Sequence, residues 1–295
     1  MSIAVIGAGK WGQALHFAIS QQVSCMITSR TPKDIPNFVP LEQALKAEYL
    51  IFALPAQVVR EWLNTNFQFN GQKILVAAKG IEQGSGAFLN DIFAQFIPNE
   101  NLSFLSGPSF AAEVIQGLPT AVVINSSNDT LATEFTSFFP KFIKTYISND
   151  VIGAEVCGAY KNVLAIASGI CDGLHLGNNA RASLIARGLV EMHRFGKFFG
   201  ADDETFFGLS GAGDLFLTAS STLSRNYRVG LFLAQGKSLD AILSELGEVA
   251  EGVFTSNAVC DLSQKHDIYT PIAREIALIL EGKNPYASVR DLLDS

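Results

Sequence analysis

Two lysines and an aspartate stand where their side chains could take part in proton transfer. Lys79 follows an apolar run that ends at Ala77, and Lys161 lies within an apolar helical pattern. Burial in such a helix lowers the pKa of an ammonium group toward the range in which it exchanges protons. Asp214, which follows the glycine-rich segment 208–213, would orient Lys161 and raise its pKa again. The pattern indicates proton transfer by Lys161, with Lys79 stabilising negative charge on a reacting oxygen.

A polar group at a predicted helix start is suited to an anion. Ser224, Arg225 and Asn226 open a helical pattern, and such a start binds phosphate through its N–H groups and the guanidinium. Simpler explanations exist for each candidate taken alone. Lys161 could extend its amine into water, Asp214 could be only a helix N-cap, and Arg225 could be a solvated cation. All three must hold together for the chemical interpretation to fail.

These side chains need a scaffold, and its clearest element is the start of the chain. An apolar run at 3–6 leads into Gly7, Gly9 and Gly12, which open a helical pattern. This spacing is typical of a dinucleotide-binding turn, where glycine permits the tight turn and close approach to a pyrophosphate. Lys10 would add a cation near that pyrophosphate. The alternative is a glycine turn that binds no ligand.

The end of the second apolar run indicates which dinucleotide binds. An acidic residue there would hold the ribose 2′-hydroxyl of NAD, but the sequence has Ser29 and Arg30 instead. These two side chains would hydrogen-bond and neutralise a 2′-phosphate. We therefore expect NADP(H) to be preferred and NAD(H) to be tolerated. The alternative for Arg30 is a solvated loop cation.

The pattern of elements predicts an α/β fold with two domains. Residues 1–148 alternate short apolar runs with helical patterns, which predicts a Rossmann-type doubly wound, mostly parallel sheet. Residues 149–295 contain only helical patterns and predict an all-helical domain that binds substrate. We expect the cofactor cleft at the carboxyl ends of the strands, facing the helical domain. The predicted strands are 3–6, 24–28, 49–53, 73–77, 102–106, 120–124 and 142–147. The longer predicted helices are 12–21, 57–64, 86–96, 129–138, 152–172, 179–199, 225–235, 238–246, 251–265 and 271–282.

Composition narrows the class of protein. The net charge is -7 and no basic run occurs, which argues against a nucleic-acid partner. The four cysteines show no paired spacing and the four histidines show no ligand spacing, so we expect core thiols and no metal site. There is no charged leader and no apolar run of the ~20 residues that span a bilayer. We therefore expect a cytoplasmic protein with no membrane span.

Several longer motifs occur in a characteristic order. They include GAGKWG, AAKGIE, SGPSFAAEV, KNVLAIASGICDGL, GLSGAGDLFLT, SRNYRVG and VAEGV. Over essentially the whole chain, their order and spacing resemble the NAD(P)-dependent glycerol-3-phosphate dehydrogenases of the bacterial biosynthetic type. The resemblance implies reversible reduction of dihydroxyacetone phosphate to sn-glycerol 3-phosphate, which supplies phospholipid synthesis. It also implies a homodimer.

The resemblance implies roles for individual residues. Cofactor contacts are implied at Trp11, Arg30, Lys79, Ala111, Arg225, Val249 and Glu251. Substrate contacts are implied at Lys79, Gly107, Ser109, Lys161, Asp214, Ser224, Arg225 and Asn226. Lys161 matches the catalytic lysine of the family. The chain departs from the family in the connection between Arg30 and Tyr49, which is shorter than expected and bears on cofactor preference.

Two other functions remain open at this point. One is a different two-domain dehydrogenase, such as a 2-hydroxyacid or ketopantoate-type reductase, which would need a carboxylate site where Ser224, Arg225 and Asn226 suit a phosphate. The other is a nucleotide-binding sensor without catalysis, which the presence of both Lys79 and Lys161 disfavours.

Overall fold

A computed structural model describes residues 1–247 and 250–294, and these form two compact units. The first contains Met1–Ala78 and Leu89–Ala154, and the second contains Lys79–Phe88 and the chain from Glu155 onward. The second unit thus includes a short segment that, in the order of the sequence, interrupts the first. The predicted linear division at 148/149 does not include this excursion, and it stays a prediction.

The first unit is built on one seven-stranded sheet. Neighbouring strands are parallel throughout the order β2-β1-β3-β4-β5-β6-β7 except for the antiparallel pair β5 and β6. The predicted doubly wound, mostly parallel sheet is therefore confirmed. The strands are β1 Ile3–Ile6, β2 Cys25–Thr28, β3 Tyr49–Phe52, β4 Lys73–Val76, β5 Leu102–Ser106, β6 Thr120–Asn125 and β7 Ile143–Ser148.

Burial explains the sequence pattern of these strands. Every residue of β1 and β3 is buried, so these strands have continuous apolar runs instead of alternation. In β7, at the edge of the sheet, buried and exposed positions are mixed. The glycine loop follows β1. The parallel register places the carboxyl ends of β1, β2, β3 and β4 on the same side of the sheet as this loop.

Helices connect the strands of the first unit. The predicted helix 86–96 is shorter than expected and begins at Leu89, because Phe88 pairs with Ile81 in an isolated antiparallel bridge. Short 3₁₀ turns occupy Ala56–Val58 and Asn99–Asn101. The helices are α1 Lys10–Ser20, α2 Leu41–Ala44, α3 Val59–Asn66, α4 Leu89–Phe93, α5 Ala111–Val114 and α6 Asp129–Thr136.

The short connection after β2 folds back onto that strand. The Ile27 N–H donates to the Asn37 carbonyl over 3.1 Å, and the Val39 N–H donates to the Ile27 carbonyl over 3.0 Å. Asn37 has a φ of 57°, the left-handed conformation that asparagine tolerates. The connection therefore stays beside β2, which keeps Lys33 near the glycine loop.

From Glu155 onward the described chain is helical, which confirms the predicted helical region. The glycine-rich segment 208–213 contains a π-helical turn at Leu209–Gly213. The pattern analysis missed the short helices α9, α10 and α15. The helices are α7 Val151–Gly173, α8 Gly177–Phe198, α9 Asp203–Phe207, α10 Asp214–Ala219, α11 Arg225–Ala234, α12 Leu239–Leu246, α13 Glu251–Lys265, α14 Pro271–Leu280 and α15 Pro285–Asp294.

Glycines let α7 and α11 approach closely. A Cβ added at Gly169 would lie 2.0 Å from the Tyr227 carbonyl oxygen, and one added at Gly230 would lie 2.0 Å from the Ile166 carbonyl oxygen. Any larger residue would force the two backbones apart. This close crossing brings the first turn of α11 to the middle of α7, where Lys161 and Asn162 lie.

Candidate active site

A buried ion pair forms the centre of the candidate site in the second unit. Lys161, in α7, is only 8% exposed, and Asp214, the first residue of α10, is 1% exposed. The Lys161 Nζ atom lies 2.5 Å from Asp214 Oδ1. Lys161 therefore does not extend its amine into water, and Asp214 is more than a local helix cap.

Lys79 is the third member of this cluster. Its Nζ atom donates to Asp214 Oδ2 over 2.8 Å, so a single carboxylate binds two ammonium groups. The aliphatic chain of Lys79 lies over Gly158 of α7, where an added Cβ would be 3.3 Å from the Lys79 Cγ and Cδ atoms. Gly158 thus leaves the space in which Lys79 reaches Asp214. We call Lys79, Lys161 and Asp214 the lysine cluster.

The charges in the lysine cluster are strongly coupled. Burial and, to a smaller extent, the like charge of Lys79 outweigh the attraction of Asp214 and together lower the pKa of Lys161 to about 8. Burial alone would raise the pKa of Asp214, but the Lys161 and Lys79 charges hold it below its usual value. The cluster therefore contains an ionised carboxylate beside an amine that gains and loses its proton near neutral pH.

Two polar side chains beside the lysine cluster were missed by the sequence analysis. The Thr218 hydroxyl donates to Asp214 Oδ1 over 3.3 Å, one helical turn further along α10. Asn162 Oδ1 accepts from Asn226 Nδ2 over 2.9 Å. The available signals were the position of Thr218 four residues after Asp214 and the position of Asn162 directly after Lys161.

The predicted anion-binding group lies at the start of α11. Ser224 is its N-cap, and its hydroxyl accepts from the Tyr227 N–H over 3.2 Å. Asn226 Oδ1 accepts from the Gly252 N–H over 3.0 Å, so Asn226 also holds the start of α13. Arg225, the first residue of α11, is exposed. This helix start therefore offers a cation on a terminus that Asn226 fixes to α7 and α13.

Two predicted cofactor contacts follow in the same unit. Glu251 is the first residue of α13 and is half-buried. Val249 lies outside the described residues.

In the first unit, the glycine loop has the shape that a dinucleotide needs. Gly7 has a φ of +108°, and a Cβ at Gly12 would lie 1.8 Å from the Gly7 carbonyl oxygen. These two glycines are required by the turn itself. A Cβ at Gly9, in contrast, would meet no atom within 4 Å. Gly9 therefore leaves open space at the helix start, where a pyrophosphate can approach the backbone.

The start of α1 also suits an anion. Its N-cap, Gly9, provides no side-chain hydrogen bond, and its first turn contains Lys10 but no acidic residue. A positive charge at the positive end of a helix dipole is unfavourable unless an anion is bound there. The indole Nε1 of Trp11 donates to the Ala77 carbonyl over 3.1 Å, which ties α1 to the end of β4. The residues present therefore fit a bound dinucleotide phosphate.

The end of β2 carries one more cation than the sequence analysis identified. Arg30 is exposed, and among residues 1–247 and 250–294 it has no hydrogen bond or ion pair. The Ser29 hydroxyl donates to the Thr31 carbonyl over 2.7 Å. The Lys33 Nζ atom donates over 2.6 Å to the carbonyl of Ala8 in the glycine loop. The only signal for Lys33 was its charge within the short connection after Arg30.

The remaining predicted residues follow β5 in the first unit. Gly107 has a φ of +100°, and an added Cβ would lie 3.2 Å from the Ala121 carbonyl oxygen. The Ser109 hydroxyl donates to the Gly107 carbonyl over 3.1 Å. Ala111 is the first residue of α5. These residues thus lie on a turn and a helix start at the end of β5.

Two searches of the described residues bear on other kinds of site. Within this part of the chain, no group of three or more His, Cys, Asp or Glu side chains could hold a metal ion. Likewise, none of the helices described has the length and apolar character needed to cross a bilayer. The absence of a metal from the working protein stays a prediction.

Two family models match most of this chain. Residues 25–132 match the family model for the NAD-dependent glycerol-3-phosphate dehydrogenase N-terminus, and residues 150–291 match the model for its C-terminus. The chain is 61% identical over 293 residues to a glycerol-3-phosphate dehydrogenase [NAD(P)+] from Sulfurimonas denitrificans, covering 99% of each chain. It is 62% identical over 293 residues to one from Campylobacter jejuni, again covering 99% of each.

A solved structure supports the same assignment. A glycerol-3-phosphate dehydrogenase from Coxiella burnetii is 32% identical, with a TM-score of 0.92 over 100% of this chain and 99% of that one. Both family models and the full-length relatives agree with each other and with the fold. The chain therefore belongs to the NAD-dependent glycerol-3-phosphate dehydrogenase family.

Proposed function

We propose that this protein catalyses the reversible, NAD(P)H-dependent reduction of dihydroxyacetone phosphate to sn-glycerol 3-phosphate. The observation that carries the proposal is the buried lysine cluster, in which Asp214 binds both Lys79 and Lys161. Structural lysines are rarely buried at this depth. A lysine whose pKa is lowered to about 8 can exchange a proton during turnover.

The lysine cluster provides the proton chemistry that a ketone reduction needs. When bound, the nicotinamide supplies the hydride that reduces the carbonyl carbon C2. In that direction, the Lys161 ammonium donates its proton to the C2 oxygen and becomes neutral. In the reverse direction, neutral Lys161 removes the hydroxyl proton. Asp214 orients both amines, and Lys79 stabilises negative charge on the C2 oxygen during transfer.

The phosphate of the substrate is assigned to the start of α11. Arg225 provides a charge-assisted contact, and Ser224 and Asn226 shape the helix terminus beside it. A planar carboxylate substrate would not need this arrangement, which supports a phosphate ester over a 2-hydroxyacid. From the first unit, Gly107 and Ser109 are proposed as further substrate contacts on family membership alone.

The cofactor is assigned to the first unit and is proposed to be NADP(H) in preference to NAD(H). Gly7, Gly9 and Gly12 form the pyrophosphate turn. Arg30 and Lys33 are two cations close to the end of β2, and no acidic residue at positions 29–33 would repel a 2′-phosphate. The other proposed cofactor contacts are Lys10, Trp11, Lys79, Ala111, Arg225, Val249 and Glu251.

Three further proposals rest on family membership rather than on geometry. These are assembly as a homodimer, a cytoplasmic location and supply of glycerol phosphate for phospholipid synthesis. Size-exclusion chromatography with light scattering tests the first. Cell fractionation tests the second, and phospholipid content in a deletion strain tests the third.

A steady-state assay with Lys161→Ala tests the proposed reaction. The wild-type protein should oxidise NADPH when dihydroxyacetone phosphate is added. Lys161→Ala should lower kcat by at least ~10²-fold, since a general acid contributes about that much. NADPH affinity, measured by titration, should stay nearly unchanged. Lys265→Ala, which removes an exposed lysine on α13, is the matched control.

Two different results would contradict two different parts of the proposal. A folded Lys161→Ala protein that keeps more than about half of the wild-type kcat would show that Lys161 does not transfer the proton. A wild-type protein that binds NADPH without oxidising it would instead indicate a nucleotide-binding sensor.

A further inference from the structure

A hairpin-like segment carries Lys79. Residues 79–88, which we call the strap, leave the end of β4 and belong to the second unit. Ile81 and Phe88 form an antiparallel bridge. Within it, the Glu82 N–H donates to the Ala87 carbonyl and the Gly86 N–H donates to the Glu82 carbonyl, each over 3.0 Å. The strap is therefore a folded turn with its own hydrogen bonds.

The strap is anchored on the helices of the second unit. Ile81 is fully buried and Phe88 is 4% exposed. The Phe88 ring packs edge-on against Phe199, just beyond the end of α8, with ring centroids 5.1 Å apart. Gly86 faces Leu262 of α13, where an added Cβ would lie 2.8 Å from the Leu262 Cδ2 atom. Contacts to the C-cap of α8 and to α13 thus fix the base and the tip of the strap.

Lys79 needs such an anchor for a physical reason. A free lysine side chain loses rotamer entropy when it is held in one geometry. Its ammonium is also repelled by Lys161, which binds the same carboxylate. A backbone that is already fixed leaves only the side chain to be ordered, and Gly158 provides a surface for it. The anchored strap therefore reduces the entropy that is lost when the Lys79 ammonium is held beside that of Lys161.

We propose that the strap is a positioning element, in which Phe88 acts through the backbone to hold the Lys79 ammonium on Asp214. Lys79 is thereby a permanent member of the lysine cluster within the second unit. The inference rests on the proposed function, because the proposed reaction gives the cluster its role. The strap itself is not assigned any contact with substrate or cofactor beyond that of Lys79.

The first test uses Phe88→Ala and the pH profile of kcat/KM for reduction. The charged groups that face Lys161 are Asp214 and Lys79. Since Lys79 lowers the pKa of Lys161, release of Lys79 should move the alkaline limb to higher pH. We expect kcat/KM at neutral pH to fall about tenfold or more, as a displaced catalytic group can cost up to 10²-fold. Lys79→Ala should move the limb in the same direction, and Phe88→Ala added to it should move it no further.

Phe93→Ala is the matched control, since Phe93 is fully buried in α4 of the first unit and packs edge-on against Phe52. This variant also removes one buried phenylalanine ring, but leaves the residues of the strap unchanged. A limb that stays at the wild-type pH in Phe88→Ala would overturn the proposal, whatever the loss of rate.

A second pair of variants keeps the proposal testable if Phe88→Ala does not fold. Gly86 has a φ of +69° and Gly84 a φ of +84°, so alanine strains the backbone at both positions. Only alanine at Gly86 would collide with Leu262, because an added Cβ at Gly84 meets no atom within 4 Å. Gly86→Ala should therefore shift the alkaline limb and increase hydrogen exchange in the strap, and Gly84→Ala should do so much less. Equal effects of the two variants would overturn the anchoring role.

Chemical labelling separates failure of the strap proposal from failure of the proposed reaction. The rate at which acetic anhydride modifies Lys161 can be followed against pH by peptide mass spectrometry, without substrate or cofactor. Phe88→Ala should raise the pH at which Lys161 becomes reactive. An inactive wild-type protein that still shows this shift would reject the reaction and retain the strap, and an active one without the shift would do the opposite.

Discussion

Replacing Asp214 with asparagine removes the charge that binds two ammonium groups while keeping the shape of the side chain. The amide of the variant would still present one oxygen, but no longer a carboxylate, to Lys161 and Lys79. In the native protein the contacts of Asp214 with these two lysines are 2.5 Å and 2.8 Å long. Two positive charges would then face each other in a buried site, and the Thr218 hydroxyl would remain as a polar neighbour of position 214.

The direction of the effect follows from the opposing influences of burial and of Asp214 on the pKa of Lys161. Its pKa is about 8 because burial lowers it and Asp214 partly restores it. An opposite charge at contact distance raises the pKa of an ammonium group, so the pKa of Lys161 should fall below about 8 in Asp214→Asn. The protonated fraction of Lys161 at neutral pH should therefore drop. Loss of the orientation of Lys161 can lower kcat/KM by up to about a further 10²-fold.

The assay is the pH dependence of kcat/KM in both directions, which reports ionisation in the free protein. For ketone reduction, which needs the Lys161 ammonium, the alkaline limb should move to lower pH and the rate at neutral pH should fall about a hundredfold. For alcohol oxidation, which needs the neutral amine, the rising limb should also move to lower pH.

A control and a stability measurement complete this test. Asp203→Asn alters an exposed carboxylate that pairs with His193 and Lys197, and it should leave both limbs in place. Removing one partner of a buried pair typically costs about 3–5 kcal/mol, but here the loss should be smaller because Lys161 can release its proton. An alkaline limb that stays near pH 8 or moves upward would refute the assignment of Asp214 as the group that supports the charge on Lys161.

Three other outcomes are expected. Arg225→Ala should raise the KM for dihydroxyacetone phosphate about tenfold, through loss of a charge-assisted contact worth roughly 1.5–3 kcal/mol, and an unchanged KM would place the phosphate elsewhere. The wild-type protein should favour NADPH over NADH by roughly five- to thirtyfold in kcat/KM, and Arg30→Asp should reverse this order. In calorimetry, Lys33→Gln should weaken the binding of 2′,5′-ADP more than the binding of 5′-ADP. A wild type that prefers NADH would contradict that assignment. Glu191→Ala should lower the free energy of unfolding by roughly 3–5 kcal/mol in urea, because it leaves several buried donors unpaired, whereas exposed Glu204→Ala should change it little.

The expected cost at Glu191 comes from a structural role that the sequence did not reveal. Glu191 is 2% exposed, although glutamate side chains are mostly exposed in folded proteins. Its carboxylate accepts from the N–H groups of Ile272 and Ala273 at the start of α14 over 2.9 and 2.8 Å. It also accepts from the Tyr160 hydroxyl over 2.8 Å. It thus caps a helix that lies far away in sequence.

Local periodicity was sufficient to determine most strands and long helices of this protein. The bounds of β1 and β5 agree with those predicted, and β2 and β7 differ by a single residue at their ends. The apolar periodicity of neighbouring residues reflects which faces of an element are buried, so these elements can be predicted from local sequence. The glycine turn and the α11 start were found for the same reason, since turns and caps depend on short-range backbone geometry.

Which charged side chains meet depends on the packing of distant elements. Lys79 and Asp214 are 135 positions apart, and their contact depends on the strap, Gly158 and the position of α10 together. Lys33 reaches Ala8 because the connection after β2 folds back onto that strand. Local sequence patterns were enough to identify most elements and the reactive groups. Their pairing and ionisation were decided by packing, because burial and Coulomb interaction depend on distances that no local pattern encodes.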